Sequence, residues 1–171
     1  MNIMNDIKIK SSVIFGFLLA LIFSGQGVYS QQVSFENALK TAKKEHKKVI
    51  VDIYTDWCGW CKKMDREAYS DEGIKKIIKD DFIYVKLNAE GNGVNNYNGK
   101  SYTDGELAEF FQVSGYPTTV FLDSKGKVIE FNYNKYKMNN LPGYYETNDF
   151  KKVLEYIRDN KYKNTDLSTI I

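Results

Sequence analysis

The chain has 171 residues, which is enough for one domain and too few to expect two. Hydrophobic residues make up 43% of it, so the composition allows a packed core. The formal net charge of +2 is mild, and short lysine runs such as Lys43-Lys44 and Lys47-Lys48 are typical of solvated helix faces. A nucleic-acid-binding protein would need basic residues clustered on one surface, so no nucleic-acid partner is expected.

The first thirty residues have the pattern of a targeting segment. Lys8 and Lys10 precede an uninterrupted apolar run from Val13 to Phe23, and Val28-Tyr29-Ser30 resembles a signal-peptidase site. The run is shorter than the roughly 20 residues that a membrane-spanning helix needs, so cleavage is favoured over an anchor. We therefore expect a signal peptide over residues 1–30 and an exported, periplasmic protein that begins at Gln31.

Hydrophobic periodicity and turn residues predict the elements of the mature chain in order. They are a helix from Ser34 through Ala42, a strand over 49–54, helices over 58–68 and 72–79, a strand over 82–87, a helix over 105–112, strands over 118–122 and 128–133, and a helix capped by Asn148. The Gly- and Asn-rich residues 89–103 are expected to form an exposed loop. The domain is predicted over residues 31–162, followed by a tail over 163–171.

This order predicts an α/β fold. Strands that are joined through helices should be parallel, and the turn over residues 123–126 should make the last two strands an antiparallel hairpin. Helices must cover both faces of such a sheet. We therefore expect a three-layer α/β/α sandwich around a mixed sheet of four or five strands.

The chain contains two cysteines, Cys58 and Cys61, in a C-x-x-C spacing. A ring this small removes little entropy from the unfolded chain, so the pair is better explained by chemistry than by stability. It follows the first predicted strand and opens a helix, where free backbone N–H groups favour a thiolate on Cys58. Cys61 lies one turn deeper on the same face. We expect Cys58 to attack a substrate disulfide and Cys61 to resolve the mixed disulfide.

Four features together resemble the thioredoxin superfamily, in particular its exported thiol:disulfide interchange proteins. Residues 57–61 read WCGWC where thioredoxins have WCGPC, and Asp52 lies six residues before Cys58 at the position of a buried acid. Lys86 matches the lysine that neighbours that acid, and residues 115–118 match a loop with a cis-proline. The resemblance covers nearly the whole mature chain and implies a thioredoxin-like fold.

The resemblance also implies roles for the acid and its neighbour. A buried Asp52 would have a raised pKa and could accept the proton of Cys61, with Lys86 beside it. The alternative is a structural carboxylate that is satisfied by Lys86 or by a backbone amide. We expect Asp52 and Lys86 to belong to the catalytic site.

Five residues are expected to bind substrate around the pair: Trp57, Gly59, Trp60, Tyr116 and Pro117. The two tryptophans would form an apolar docking lip, although Trp57 could equally pack into the core. A cis Pro117 would let Tyr116 pair with an extended substrate chain and would keep metal ions from the thiols, as the resemblance implies. An ordinary trans proline is the alternative.

The predicted function is thiol–disulfide exchange. The motif alone does not fix the direction, because reductants and oxidants share it, and the resemblance favours reduction of exported proteins.

 A reductase of this kind would act on protein substrates that carry disulfides or thiols. It would take its electrons from an upstream membrane-bound or exported thiol donor, would need no cofactor and no metal, and would be a monomer.

Two other functions remain open from the sequence. C-x-x-C also binds zinc or copper, but zinc needs about four ligands, and this chain offers two thiols and the distant His46, which stands in a charged run typical of a solvated surface. The other alternative is a non-catalytic, substrate-binding module of the same fold. The two intact cysteines and Asp52 argue against it.

Overall fold

The computed structural model describes residues 33–171, so the targeting segment predicted over residues 1–30 lies outside the described part. The described residues belong to one compact unit. Its α-helices are α1 (Phe35–Glu45), α2 (Gly59–Glu67), α3 (Glu72–Asp81), α4 (Asp104–Phe110) and α5 (Thr147–Arg158). Its strands are β1 (Lys48–Tyr54), β2 (Phe82–Asn88), β3 (Val94–Tyr97), β4 (Lys100–Thr103), β5 (Thr118–Leu122), β6 (Phe131–Tyr133), β7 (Tyr136–Met138) and β8 (Leu141–Pro142).

The central sheet has four strands in the order β2-β1-β5-β8. β1 runs parallel to β2 and antiparallel to β5, and β8 is antiparallel to β5. The predicted mixed sheet is thereby confirmed. β5 is not parallel to its predecessors as expected, because the connection from β2 contains the β3–β4 hairpin as well as α4 and delivers the chain to the far side of β1.

Two apolar cores lie on opposite faces of this sheet. Ile50 of β1 packs in one core with Met64 of α2, Ile74 of α3 and Phe150 of α5. The other core contains residues of α1 and α4 together with alternate residues of β1, namely Phe35, Ala38, Leu107, Val49, Val51 and Ile53. Since successive strand side chains point to opposite faces, Asp52 lies on the same face as Ile50, which is the face that α2 covers.

Short polar side chains start most of the helices where the sequence predicts them. The Ser34 hydroxyl accepts the Asn37 N–H at the start of α1. Asp71 accepts the N–H of Ile74 at the start of α3. The expected cap of the last helix is wrong: α5 already begins at Thr147, because the Thr147 hydroxyl donates to the carbonyl of Glu67 and ties the helix start to α2.

The segment predicted as an exposed loop over 89–103 is instead largely a β-hairpin. β3 and β4 pair antiparallel around Asn98 and Gly99, which both have positive φ angles of 52° and 77°. Asn-Gly is the residue pair that tight hairpin turns favour, so the signal was present in the sequence. Tyr97 is buried, and its hydroxyl donates to the carbonyl of Gly126. The hairpin therefore forms part of the second core.

The strand predicted over residues 128–133 forms only over its last three residues, as β6, and it does not make the predicted hairpin with β5. The turn after β5 forms as expected, with the Gly126 N–H bonded to the carbonyl of Asp123. Only a single bridge, Leu122 to Val128, follows it. The chain then leaves the sheet, because a second tight turn at Asn134 and Lys135 pairs β6 with β7. The fourth sheet position is taken by β8.

The last residues pack onto the domain. Leu167, in a short 3₁₀-helix over Leu167–Thr169, is buried in the core beneath α5. Asp166 accepts the backbone N–H groups of Asn134 and Lys135, so the C-terminal segment fixes the turn between β6 and β7. In the part of the chain that the structure describes, no helix has the length and apolar character needed to cross a membrane.

Candidate redox site

The cysteine pair lies at the junction of β1 and α2. Cys58 and Cys61 form a disulfide with a Cα–Cα distance of 5.3 Å. Cys58 is the N-cap residue of α2, and its Sγ accepts the backbone N–H of Cys61 at 3.0 Å. The sulfur is thus positioned where the unpaired N–H groups and the dipole of the helix favour negative charge.

Burial does not distinguish the two cysteines, because each residue is only 4% exposed. What separates them is their place on the helix. Cys58 caps the first turn, whereas Cys61 lies inside it on the buried side of α2. The two cysteines therefore differ in local electrostatics: the start of the helix favours a thiolate on Cys58 more than on Cys61.

Trp57 forms one side of the rim around the pair. Its side chain does not pack into the core, since the residue is 67% exposed. The indole Nε1 donates to the carboxylate of Glu90, at 3.0 and 2.9 Å to its two oxygens. The ring meets Tyr116 edge to face, with centroids 6.0 Å apart. Glu90 and Tyr116 therefore orient an exposed aromatic surface next to Cys58.

Trp60 forms the opposite side of the rim and is 58% exposed. Its ring lies 5.4 Å from that of Tyr144, which belongs to the segment between β8 and α5. The ammonium of Lys63 lies over both rings, 5.2 Å from Trp60 and 4.5 Å from Tyr144. The Tyr144 hydroxyl donates to Glu67. This aromatic pair and its cation were not predicted as a unit.

Pro117 is the residue at which the loop before β5 reaches this rim. The Tyr116–Pro117 peptide bond is cis. The carbonyl of Pro117 accepts the N–H of Gly143 at 2.8 Å, which links this loop to the one that carries Tyr144. Tyr116, in contact with Trp57, is thus connected through Pro117 to the other side of the rim. Gly59, between the cysteines, has no atom within 4 Å of the position that a Cβ would take.

Asp52 lies on the sheet face beneath α2 and is 3% exposed. Burial raises the pKa of this carboxyl to about 6, although the nearby Lys86 ammonium and a hydrogen bond from Tyr84 both act to lower it. The Tyr84 hydroxyl donates to Asp52 Oδ2 at 2.8 Å. An acid with this pKa can exchange a proton near neutral pH.

Lys86 stands between two carboxylates. Its Nζ lies 3.8 Å from Asp52 Oδ2 and 2.5 Å from Asp65 Oδ2. Asp65 is four residues after Cys61 on α2, so the two share a helix face. The ammonium also lies 4.7 Å from the ring centroid of Tyr54. The structure therefore brings the helix face of Cys61 against the strand face of Asp52.

The site contains residues that the sequence analysis did not select. Tyr84 could have been found, because it lies two residues before Lys86 on a strand and so shares its face. Asp65 could have been found by its i, i+4 spacing from Cys61. Glu90 and Tyr144 lie in connecting segments whose approach to the rim has no periodic signal. Within residues 33–171, no three His, Cys, Asp or Glu side chains form a group that could hold a metal ion.

A C-x-x-C disulfide at the start of a helix, on a mixed sheet with helices on both faces, defines a thiol–disulfide oxidoreductase of the thioredoxin fold. Residues 35–158 match the family model described as a thioredoxin-like domain. The chain therefore belongs to the thioredoxin-like family, and the resemblance seen in its sequence is confirmed.

Several relatives of known structure or sequence are similar to parts of the chain. A thioredoxin-fold protein from Helicobacter pylori is 25% identical, with a TM-score of 0.60 over 73% of this chain and 80% of that one. A putative disulphide-isomerase from Bacteroides thetaiotaomicron is 26% identical, with a TM-score of 0.54 over 77% of this chain and 91% of that one.

The curated relatives are much longer proteins. The thiol:disulfide interchange protein DsbD of Photorhabdus laumondii subsp. laumondii is 33% identical over 87 residues, which is 51% of this chain and 14% of that protein. The protein of the same name from Actinobacillus pleuropneumoniae is 26% identical over 111 residues, which is 65% of this chain and 16% of the relative. The chain thus matches only a small part of each.

Proposed function

We propose that the chain reduces disulfides in exported proteins, with Cys58 as the nucleophile and Cys61 as the resolving thiol. The observation that carries this proposal is the position of Cys58 Sγ, which caps α2 and accepts the Cys61 N–H at 3.0 Å. A thiolate at this position is stabilised by the same N–H groups and by the helix dipole.

The reaction proceeds in two exchanges. The Cys58 thiolate attacks one sulfur of a client disulfide, which forms a mixed disulfide and releases the first client thiolate. Cys61 then loses its proton to Asp52 and attacks Cys58 Sγ, which releases the second client thiolate. The client gains two electrons and the Cys58–Cys61 pair becomes a disulfide, so a thiol donor must reduce the pair before the next cycle.

The rim supports a role in binding a client chain. Trp57 and Trp60 expose large apolar surfaces next to the pair, the Tyr116 ring packs against Trp57, and Pro117 follows Tyr116 in the chain. Gly59 leaves open space over the first turn of α2. An extended client segment placed across the pair would contact these five residues, which we propose as the substrate-binding set.

The direction of disulfide exchange and the thiol donor are proposals that go beyond the names of the relatives. The relatives named thiol:disulfide interchange protein DsbD support exchange with another thiol–disulfide protein, and we propose that an upstream membrane-bound or exported donor supplies the electrons. We propose export to the periplasm from the charged start, the apolar run and Ser30 near the N-terminus. N-terminal sequencing of the protein from cells tests this: the chain should begin at or close to Gln31.

Two assays test the proposed activity and its direction. The purified protein should reduce insulin when a chemical thiol keeps the pair reduced. Equilibration with glutathione buffers should give a reduction potential at or below about −200 mV, as for reducing members of this class. A potential near about −120 mV would make the protein an oxidant instead. No insulin reduction at any pH would favour the non-catalytic module.

A further inference from the structure

The carboxylate of Asp52 is held by a residue that the proposed reaction does not yet use. Tyr84 donates its hydroxyl hydrogen to Asp52 Oδ2 at 2.8 Å, whereas the Lys86 Nζ lies 3.8 Å from the same oxygen. The distance from Lys86 is beyond that of a direct hydrogen bond. The neutral hydroxyl, and not the ammonium, is therefore the closer partner of this carboxylate oxygen.

The charge of Lys86 is shared with a second carboxylate. Its Nζ is 2.5 Å from Asp65 Oδ2, in an ion pair that is partly open to solvent. Lys86 thus acts on Asp52 chiefly through its charge, while the Tyr84 hydroxyl donates to Asp52 at hydrogen-bond distance. Strand register explains the arrangement. Tyr84 is paired with Ile50, and Asp52 is paired with Lys86 two residues further along each strand, so all of these side chains lie on the same face of the sheet.

We propose that Tyr84 is a positioning residue for proton transfer: its hydroxyl fixes Oδ2 of Asp52 and keeps the carboxylate ready to accept a proton. This inference rests on the proposed function of Asp52. A hydrogen bond to a charged carboxylate stabilises the ionised form, and this opposes the burial that favours the neutral acid.

The other groups that face Asp52 set the background for this effect. They are Lys86 of β2, Asp65 of α2, Tyr69 beyond the end of α2, and the uncharged Thr119, which lies opposite Asp52 on β5. Tyr69 packs against Tyr84 with ring centroids 5.2 Å apart, but it makes no hydrogen bond to Asp52. It offers a matched control, since Tyr69→Phe removes a buried hydroxyl from the same aromatic pair.

The test is a titration of Asp52 by carboxyl NMR in the full chain labelled at aspartate, in the wild type, Tyr84→Phe and Tyr69→Phe. We expect the wild-type pKa near 6, a clearly higher pKa in Tyr84→Phe, and no change in Tyr69→Phe. An unchanged value in Tyr84→Phe would overturn the proposal. A pKa of 3.8 for Asp52 in the wild type, which is its ordinary value, would overturn the proposal as well. This measurement does not depend on whether Tyr84→Phe folds.

A kinetic readout connects this titration to the reaction. Single-turnover resolution of a mixed disulfide should slow about tenfold in Tyr84→Phe at pH 6, because the lost hydrogen bond is worth about that factor. The rate should recover toward the wild-type value as the pH rises to 8 and Asp52 ionises again. A slowing that is equal at all pH values would indicate a merely structural defect and contradict the proposal. The NMR titration does not depend on activity, so failure of the proposed function would be seen separately.

Discussion

Lys86 makes its shortest ion pair with Asp65, at 2.5 Å, on the helix that carries the redox pair. Its distance to the buried Asp52 is longer, at 3.8 Å. This relationship separates two possible roles of Asp52. If Asp52 were the sole partner of Lys86, its removal would strand a charge; because Asp65 is also present, Lys86 keeps a carboxylate partner when Asp52 is replaced.

We therefore expect Asp52→Asn to stabilise the fold near neutral pH. The folded-state pKa of Asp52 is raised from 3.8 to about 6, so the native state holds a proton that the unfolded state has lost between these values. The contribution of Asp52 to stability then falls as the pH rises from 4 to 6 and stays low above 6. At pH 7 the variant should gain up to about 3 kcal/mol, which is several degrees in melting temperature.

Thermal melts of both proteins from pH 3.5 to 8 measure this difference. The gain of Asp52→Asn should shrink toward zero as the pH falls through 3.8, because the carboxyl of Asp52 then becomes protonated in the unfolded state as well as in the folded one. The same variant should slow the resolving step and accumulate mixed disulfides with clients. A lower melting temperature at pH 7 together with a wild-type rate would remove Asp52 from the catalytic residues.

The loop that carries Glu90 is expected to be intolerant of larger residues at Gly91. A Cβ at Gly91 would lie 2.3 Å from Oδ2 of Asp104, the carboxylate that accepts the Gly93 N–H. Gly91→Ala should therefore destabilise the protein by about 1–3 kcal/mol and disturb the Glu90 contact with Trp57. Urea unfolding and Trp fluorescence measure both effects.

Gly115→Ala is the matched control for that substitution, because a Cβ there would meet no atom within 4 Å and the residue has no positive φ. It should leave the free energy of unfolding within about 0.5 kcal/mol of the wild type. Equal stability of the two glycine variants would show that the loop does not close around Asp104 as described.

Trp57 should matter for protein substrates more than for small ones. The residue is 67% exposed, so Trp57→Ala should change the melting temperature little. It should lower kcat/KM for insulin about tenfold, because a lost aromatic contact costs about 1–2 kcal/mol in a binding surface. Reduction of a small disulfide such as hydroxyethyl disulfide should be nearly unchanged.

Tyr136→Ala provides a comparison for the Trp57 result, because Tyr136 is an exposed aromatic residue of the separate β6–β7 hairpin. It should leave both substrates unaffected. If Trp57→Ala reduced both activities equally, the tryptophan would act on the chemistry of the pair rather than on docking.

Much of the fold follows from local sequence patterns. The run around Asp52 predicts the central strand, and the C-x-x-C after it predicts the helix whose first turn holds the pair. Two predictions fail for physical reasons. In the Gly- and Asn-rich segment, Asn98-Gly99 forms a tight turn that pairs the residues on either side of it as strands, and the turn at Asn134 and Lys135 ends a strand that apolar residues alone would continue.

The site was less predictable than the fold. Residues tied to a strand or helix period, such as Tyr84 and Asp65, share a face with residues that the motif selects. Glu90 and Tyr144 reach Trp57 and Trp60 only because separate loops converge on α2. Such contacts depend on tertiary packing and have no local signature in the sequence.

The most direct test of the account is to trap clients with single-cysteine variants of the full chain. In Cys61→Ser the nucleophile remains and the resolving thiol is lost, so mixed disulfides with a model disulfide protein should accumulate on Cys58. In Cys58→Ser the remaining thiol lies within the first turn of α2, and no mixed disulfide should accumulate. Mass spectrometry after acid quenching measures both. Equal trapping by the two variants, or trapping only by Cys58→Ser, would contradict the assignment of Cys58 as the nucleophile.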